Sequence, residues 1–97
     1  MGKVVIDGRG REIHVGDVVF SSSSFELCVV ERFSEVVDRG EAFSFVRVVG
    51  RPEPLFPGSV EVVREGDLDD EERWHLRRDY CDFDVRHEWE RLMSATV

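Results

Sequence analysis

Lysine is nearly absent from this chain: Lys3 stands alone beside twelve arginines, and 21 acids give a formal net charge of −8. Nucleic-acid affinity rests on clustered Lys and Arg, so no direct nucleic-acid partner is expected. What cationic surface exists is made of rigid, bidentate guanidinium forks. No stretch approaches the roughly 18 consecutive apolar residues of a membrane-spanning helix, so no membrane partner is expected either. The N-terminus carries one Lys and then a polar turn, without the apolar centre of a secretory signal, which points to the cytoplasm. Cysteine is limited to Cys28 and Cys81. One disulfide is conceivable, but in that compartment both are expected free. Their apolar neighbours Leu27, Val29 and Tyr80 suggest mostly buried thiols. Proline occurs only at Pro52, Pro54 and Pro57.

The remainder is ordinary globular material. Ninety-seven residues, 41% of them apolar, suit one domain, able to bury roughly 60–65% of its unfolded surface. Residues 3–63 read as β. Lys3–Ile6 is an apolar run, and Asp7–Gly10 holds two glycines, as a turn needing positive φ would. Ile13 and Val15 alternate with His14, and Gly16-Asp17 turns the chain into Asp17–Phe20. Ser21–Ser24 reads as a polar loop. Phe25, Leu27 and Val29 then alternate with Glu26 and Cys28. Val36 and Val37 precede Asp38-Arg39-Gly40, a hairpin signal. Glu41–Val49 is the longest strand candidate, with Phe43 and Phe45 on one face. Gly50–Gly58 breaks the pattern, and Ser59–Val63 closes it with Val60 and Val62 facing inward. Five or six short strands at this spacing suggest a barrel or a strongly bent sheet.

The last third is different. Residues 66–97 hold ten acids and five arginines, and the run Asp67–Glu72 suits the positive end of a helix. Cys81, Val85, Trp89 and Leu92 form one helical stripe, which Trp74 extends backwards; Leu76, Tyr80 and Phe83 form a second. Two apolar faces on one helix call for a break near residues 79–82. The spacing therefore predicts a short helix around Leu68–Arg78 and a longer one to about Ser94, with Asp82 or Asp84 as N-cap. One stripe would cap the barrel. The other is either half exposed or docks on a partner, a second copy included. The fold expected is α+β: an antiparallel β-barrel over residues 3–63 and an acidic helical segment over 67–94.

The opening, carried by Asp7, Gly10, Ile13, Val15, Gly16, Asp17 and Val19, resembles a group of small SH3-like proteins of bacteriophages and mobile elements. Val15-Gly16-Asp17-Val18-Val19 also resembles the Gly-Asp-x-Val step of KOW-type modules. The resemblance implies a small barrel that binds rather than catalyses. The nucleic-acid function of KOW modules does not follow, because those use basic surfaces.

Motifs for chemistry are sparse. His75, Cys81 and His87 are spaced six apart, unlike the two to five intervening residues of structural zinc sites. Gly8-Arg9-Gly10 lacks the helix a phosphate loop needs. No nucleophile elbow surrounds Ser21–Ser24, and barrels this small rarely hold a deep pocket. Neither enzyme activity nor a cofactor is expected. The acids of the tail have two readings: a solvated face that maintains solubility, or a set of carboxylates presented to a cationic groove. In the second, Asp67, Asp69, Asp70, Glu71, Glu72, Asp82, Asp84 and Glu88 supply the charge, with Asp79 and Glu90, and Trp74, Tyr80 and Trp89 are the anchors. In size, charge and barrel opening the chain is similar to acidic phage proteins that block host defence, such as anti-CRISPR and anti-restriction proteins. That likeness implies a host protein with a basic groove as partner. The alternative is a phage assembly or regulatory adaptor using the barrel face and the exposed apolar helix stripe.

Overall fold

The computed structural model describes residues 4–95. The chain forms β1 (Val5–Ile6), β2 (Glu12–Ile13), β3 (Val18–Ser21), β4 (Glu26–Asp38), β5 (Glu41–Val48) and β6 (Val60–Val63), then α1 (Glu71–Tyr80) and α2 (Val85–Ala95). Single 3-10 segments at Pro57–Ser59 and Glu65–Asp69 precede β6 and α1. The architecture is α+β, with two antiparallel sheets. One is the β1-β2 hairpin; the other has the order β5-β4-β3-β6 and curls into half a barrel.

Local chemistry explains most of the turns. The Asp7 carboxylate accepts from the backbone N–H of Arg9 (2.9 Å) and Arg11 (2.8 Å), and Gly10 supplies φ +86° to close the β1-β2 turn. Asp17 does the same for the next turn, accepting from His14 N at 2.8 Å while Gly16 stands at φ +93°. Arg39 (φ 53°) and Gly40 (φ 79°) give the two consecutive left-handed residues of a tight hairpin between β4 and β5. β4 bends where its register with β5 shifts between Val30 and Arg32.

β3 is the central strand. It pairs with β4 and β6, and all four of its residues are buried. Its alternation therefore serves two cores rather than one. Val19 packs with Ile13, Cys28, Val30, Val46, Val60 and Val62 beneath the β1-β2 hairpin. Val18 and Phe20 face the other way, onto Leu27, Val63, Leu68, Trp74, Phe83 and Val85. The helices cover that second face. Complete burial of a Val or Phe side chain stabilises by about 1.5–3 kcal/mol, so each face holds its layer by this apolar area.

Several expectations from the pattern shift. β4 is the longest strand, 13 residues against eight in β5. Phe25 does not begin it; it sits in the preceding turn at φ 54°, its N–H bonded to Ser21 O at 2.8 Å. Ser21 belongs to β3 and is wholly buried, leaving Ser22–Ser24 as the turn. Val15 faces solvent because the chain turns there. The helix break falls at residues 81–84, where Cys81 is extended (φ −161°) and Asp84 accepts from His87 N at 3.1 Å to cap α2. Phe83 leaves the second stripe for the core, and Cys81 leaves the first for solvent, because the break turns both away from helical phase.

β6 is an edge strand with an occupied edge. Val60 O accepts from Gly8 N (3.0 Å), Val62 N donates to the Asp7 carboxylate (2.7 Å), and Val62 O accepts from Arg11 Nη1 (3.2 Å) and Arg73 Nη2 (3.4 Å). The approach is close: a Cβ on Gly8 would lie 2.6 Å from Gly58 O.

Two outcomes are expected. Asp7→Ala strips a buried acceptor from three backbone N–H groups, and should lower stability by about 3 kcal/mol in urea titration; a loss under about 1 kcal/mol would show that this carboxylate is dispensable. Burial raises the Cys28 thiol to about 11, whereas Cys81 is exposed. Iodoacetamide should therefore modify Cys81 in the native protein and Cys28 only after unfolding, read by mass spectrometry.

Candidate functional site

The acids of the helical segment fall into three groups. Asp67, Asp70 and Asp84 hold the fold. Asp67 accepts from Arg64 N (2.8 Å) and takes Arg11 as a fork, 2.7 and 3.2 Å to its two oxygens. Asp70 caps α1 by accepting from Arg73 N at 3.0 Å, and Asp84 caps α2. Asp69 and Glu88 are neutralised at the surface by Arg86 and Arg91, and Asp79 lies 3.6 Å from His75. Glu71, Glu72, Asp82 and Glu90 are exposed and make no ion pair among the described residues. Asp67 is thus a structural residue, with its side chain only 19% exposed, not part of an outward acidic face.

Beneath α1 lies a cluster that pattern reading missed. Arg9 Nε is 2.7 Å and Arg77 Nη2 2.5 Å from Glu61, while Arg73 lies 3.7 Å from Glu61 and 3.5 Å from Asp67. With Arg11, four arginines converge on two carboxylates. The Arg73 side chain is 2% exposed, and desolvation pulls its pKa down. The hydrogen bond to Asp67 pushes the Arg11 pKa up. Arg77 also stacks on Phe20 and Trp74, at 4.6 and 5.0 Å from the ring centres. Two signals could have revealed the cluster. Glu61 is the one charge in an otherwise apolar strand, and Arg73 and Arg77 share a helix face with Asp70, i to i+3 to i+7.

The aromatic residues divide in the same way. Trp74, expected as a surface anchor, is 3% exposed; its indole N–H donates to Asp67 O at 2.7 Å and its ring meets Phe20 edge-on. Trp89 is half-buried against the helical core. Tyr80 and Leu76 are exposed at 74% and 62%. Glu72, Leu76 and Tyr80 stand at i, i+4 and i+8 on α1 and wall an open groove of about 550 Å³. Phe20 and Phe25 line the same groove, together with Arg9, Arg73, Arg77, Asp70 and Glu72.

No three of the His, Cys, Asp and Glu side chains among the described residues are gathered as a metal site would require. No described helix is long and apolar enough to cross a membrane. Comparison with family models, with curated proteins and with solved structures yields no match.

The hydrogen bond from Arg11 holds the Asp67 carboxyl at about 2, below its ordinary 3.8. A depressed folded value stabilises above the unfolded value and is lost as pH falls through the folded one. The stability gap between the wild type and Asp67→Asn should accordingly be constant above about pH 5 and shrink between about pH 4 and 2. Urea midpoints across that range test this; a gap unchanged down to pH 2 would refute the Arg11 pairing.

Proposed function

We propose that this chain is a non-enzymatic protein-binding module that docks its acidic helical side into a basic protein groove. The observation that carries this is the state of Glu71, Glu72 and Asp82. They are charged, exposed and without ion-pair partners among the described residues, and the first two flank the exposed Leu76–Tyr80 stripe. Carboxylates neutralised within the fold steer nothing, whereas unpaired ones raise the association rate with a cationic partner and select it. Leu76 and Tyr80 supply the apolar area that a charge-only contact lacks.

The β1-β2 hairpin with its Asp7 and Gly10 turn, together with the half-barrel, supports an SH3-like reading of the β region. Joined to the acidic helical side, it supports the assignment as a phage or mobile-element protein of anti-CRISPR or anti-restriction type. Such a protein would act in the host cytoplasm by occupying the nucleic-acid channel of a defence complex. The exposed Leu76–Tyr80 stripe favours a second reading, an assembly or regulatory adaptor whose docking is led by apolar contact.

Salt separates the two. Immobilised protein should capture from host lysate a nucleic-acid-binding complex that elutes at moderate salt and is displaced by duplex DNA. Glu71→Lys, Glu72→Lys and Asp82→Lys together should weaken that capture about tenfold or more at low salt; the first two lie in the first turn of α1 and should each lower stability by about 1 kcal/mol or less, leaving the protein folded by circular dichroism. Capture that ignores the three reversals but is lost in Tyr80→Ala would establish the adaptor reading instead.

A further inference from the structure

The β4-β5 hairpin runs past the body of the protein as an arm. Beyond Phe33 its β4 residues make no pairing with β3, which ends its register with β4 at Val29. One face of this arm carries four cross-strand pairs in sequence from root to tip: Arg32 with Arg47, Ser34 with Phe45, Val36 with Phe43, and Asp38 with Glu41. Val36 and Phe43 are 49% and 45% exposed. Phe45 is half-buried, its ring 5.1 Å from that of Phe56.

The end pairs are unusual. Like charges directly opposite one another destabilise a strand pair, yet this face has two cations opposed at the root and two acids opposed at the tip. Arg32, Asp38 and Glu41 are exposed and form no ion pair among the described residues; Arg47 donates to Pro52 O at 2.6 Å. The two ends lie about 20 Å apart at a strand's rise of about 3.3 Å per residue. Between them is an apolar centre.

A surface that is basic at one end, apolar in the middle and acidic at the other end complements itself under a two-fold axis. We propose that two copies of this chain pair through this face of the arm, lying antiparallel. The tip acids Asp38 and Glu41 of each copy then meet Arg32 and Arg47 of the other. Val36 and Phe43 of each pack on Phe45 of the other, closing an apolar centre that is exposed in the single chain. Both like-charge pairs are relieved by the same step, and no ion pair among the described residues does so within one chain. The arm carries its own residues and does not use the α1 surface, so this pairing stands or falls apart from the reading above.

Sedimentation equilibrium up to about 200 µM, which reads dissociation constants in the micromolar range, tests the pairing in low salt. The wild type should show a monomer–dimer equilibrium. Asp38→Arg with Glu41→Arg should weaken it at least tenfold, and so should Arg32→Glu with Arg47→Glu. An equimolar mixture of the two reversed proteins should dimerise again, since the acids of one then face the cations of the other. Should Arg47→Glu disturb the loop at Pro52, seen as a lowered melting temperature, Arg32→Glu alone replaces that variant. Val36→Asp, at an exposed position, should abolish the dimer with the fold intact. A wild type that stays monomeric at 200 µM would overturn the proposal. So would a dimer indifferent to the reversals, or a mixture that remains monomeric.

Discussion

The outer edge of β6 is where the structure is joined. Its three free backbone groups are satisfied by a glycine N–H, a buried carboxylate and two guanidinium groups, drawn from the first turn of the chain and from α1. A carboxylate as buried as Asp7, 5% exposed, persists away from water only when its lone pairs are filled. Its three N–H donors come from its own turn and from Val62. One side chain thereby shapes the β1-β2 turn and fixes that hairpin over the half-barrel. The same arrangement leaves β6 no open edge onto which another strand could add.

The cluster beside that edge uses arginine in a way that lysine could not match. Arg73 contacts Glu61, Asp67, Val62 O and the Trp74 ring, and Arg77 contacts Glu61, Arg73 O and two aromatic rings. A planar five-donor fork can serve several acceptors while lying flat on a ring; an ammonium point charge cannot. The cluster also redistributes charge. Four of the thirteen cations are engaged with two acids, so the rest of the surface is more acidic than the net charge of −8 conveys. Arg73 and Arg77 are thereby withheld from Glu71 and Glu72, which make no ion pair among the described residues.

Much of the local structure was legible in the residues. The Asp7–Gly10, Gly16-Asp17 and Arg39-Gly40 turns, the inward Val60 and Val62, the shared face of Phe43 and Phe45 and the break between the helices all follow from chemistry within about four residues. Where the reading slipped, a distant partner decided the outcome. Trp74 lies on a helix face whose spacing suits either core or surface, and the hydrogen bond to Asp67 O and the ring of Phe20 drew it inward. Phe25 continues a strand-like alternation, but the tight return from Ser21 fixed it at positive φ. The candidate site was the least legible part. Identical carboxylates serve as cap, ion-pair member or free charge, and nothing in an Asp or Glu codon position says which.

By itself the sequence determined the α+β class, the order of the elements, the turns and the surplus of acid, because these depend on near neighbours and on composition. Only the tertiary structure decided that both faces of β3 are buried, that Asp7 meets Val62 and Arg11 meets Asp67, and that Glu71, Glu72 and Asp82 have no ion-pair partner among the described residues. Those contacts join residues more than 50 positions apart. Side-chain burial and charge pairing depend on distance in space, which the order of residues along the chain does not contain.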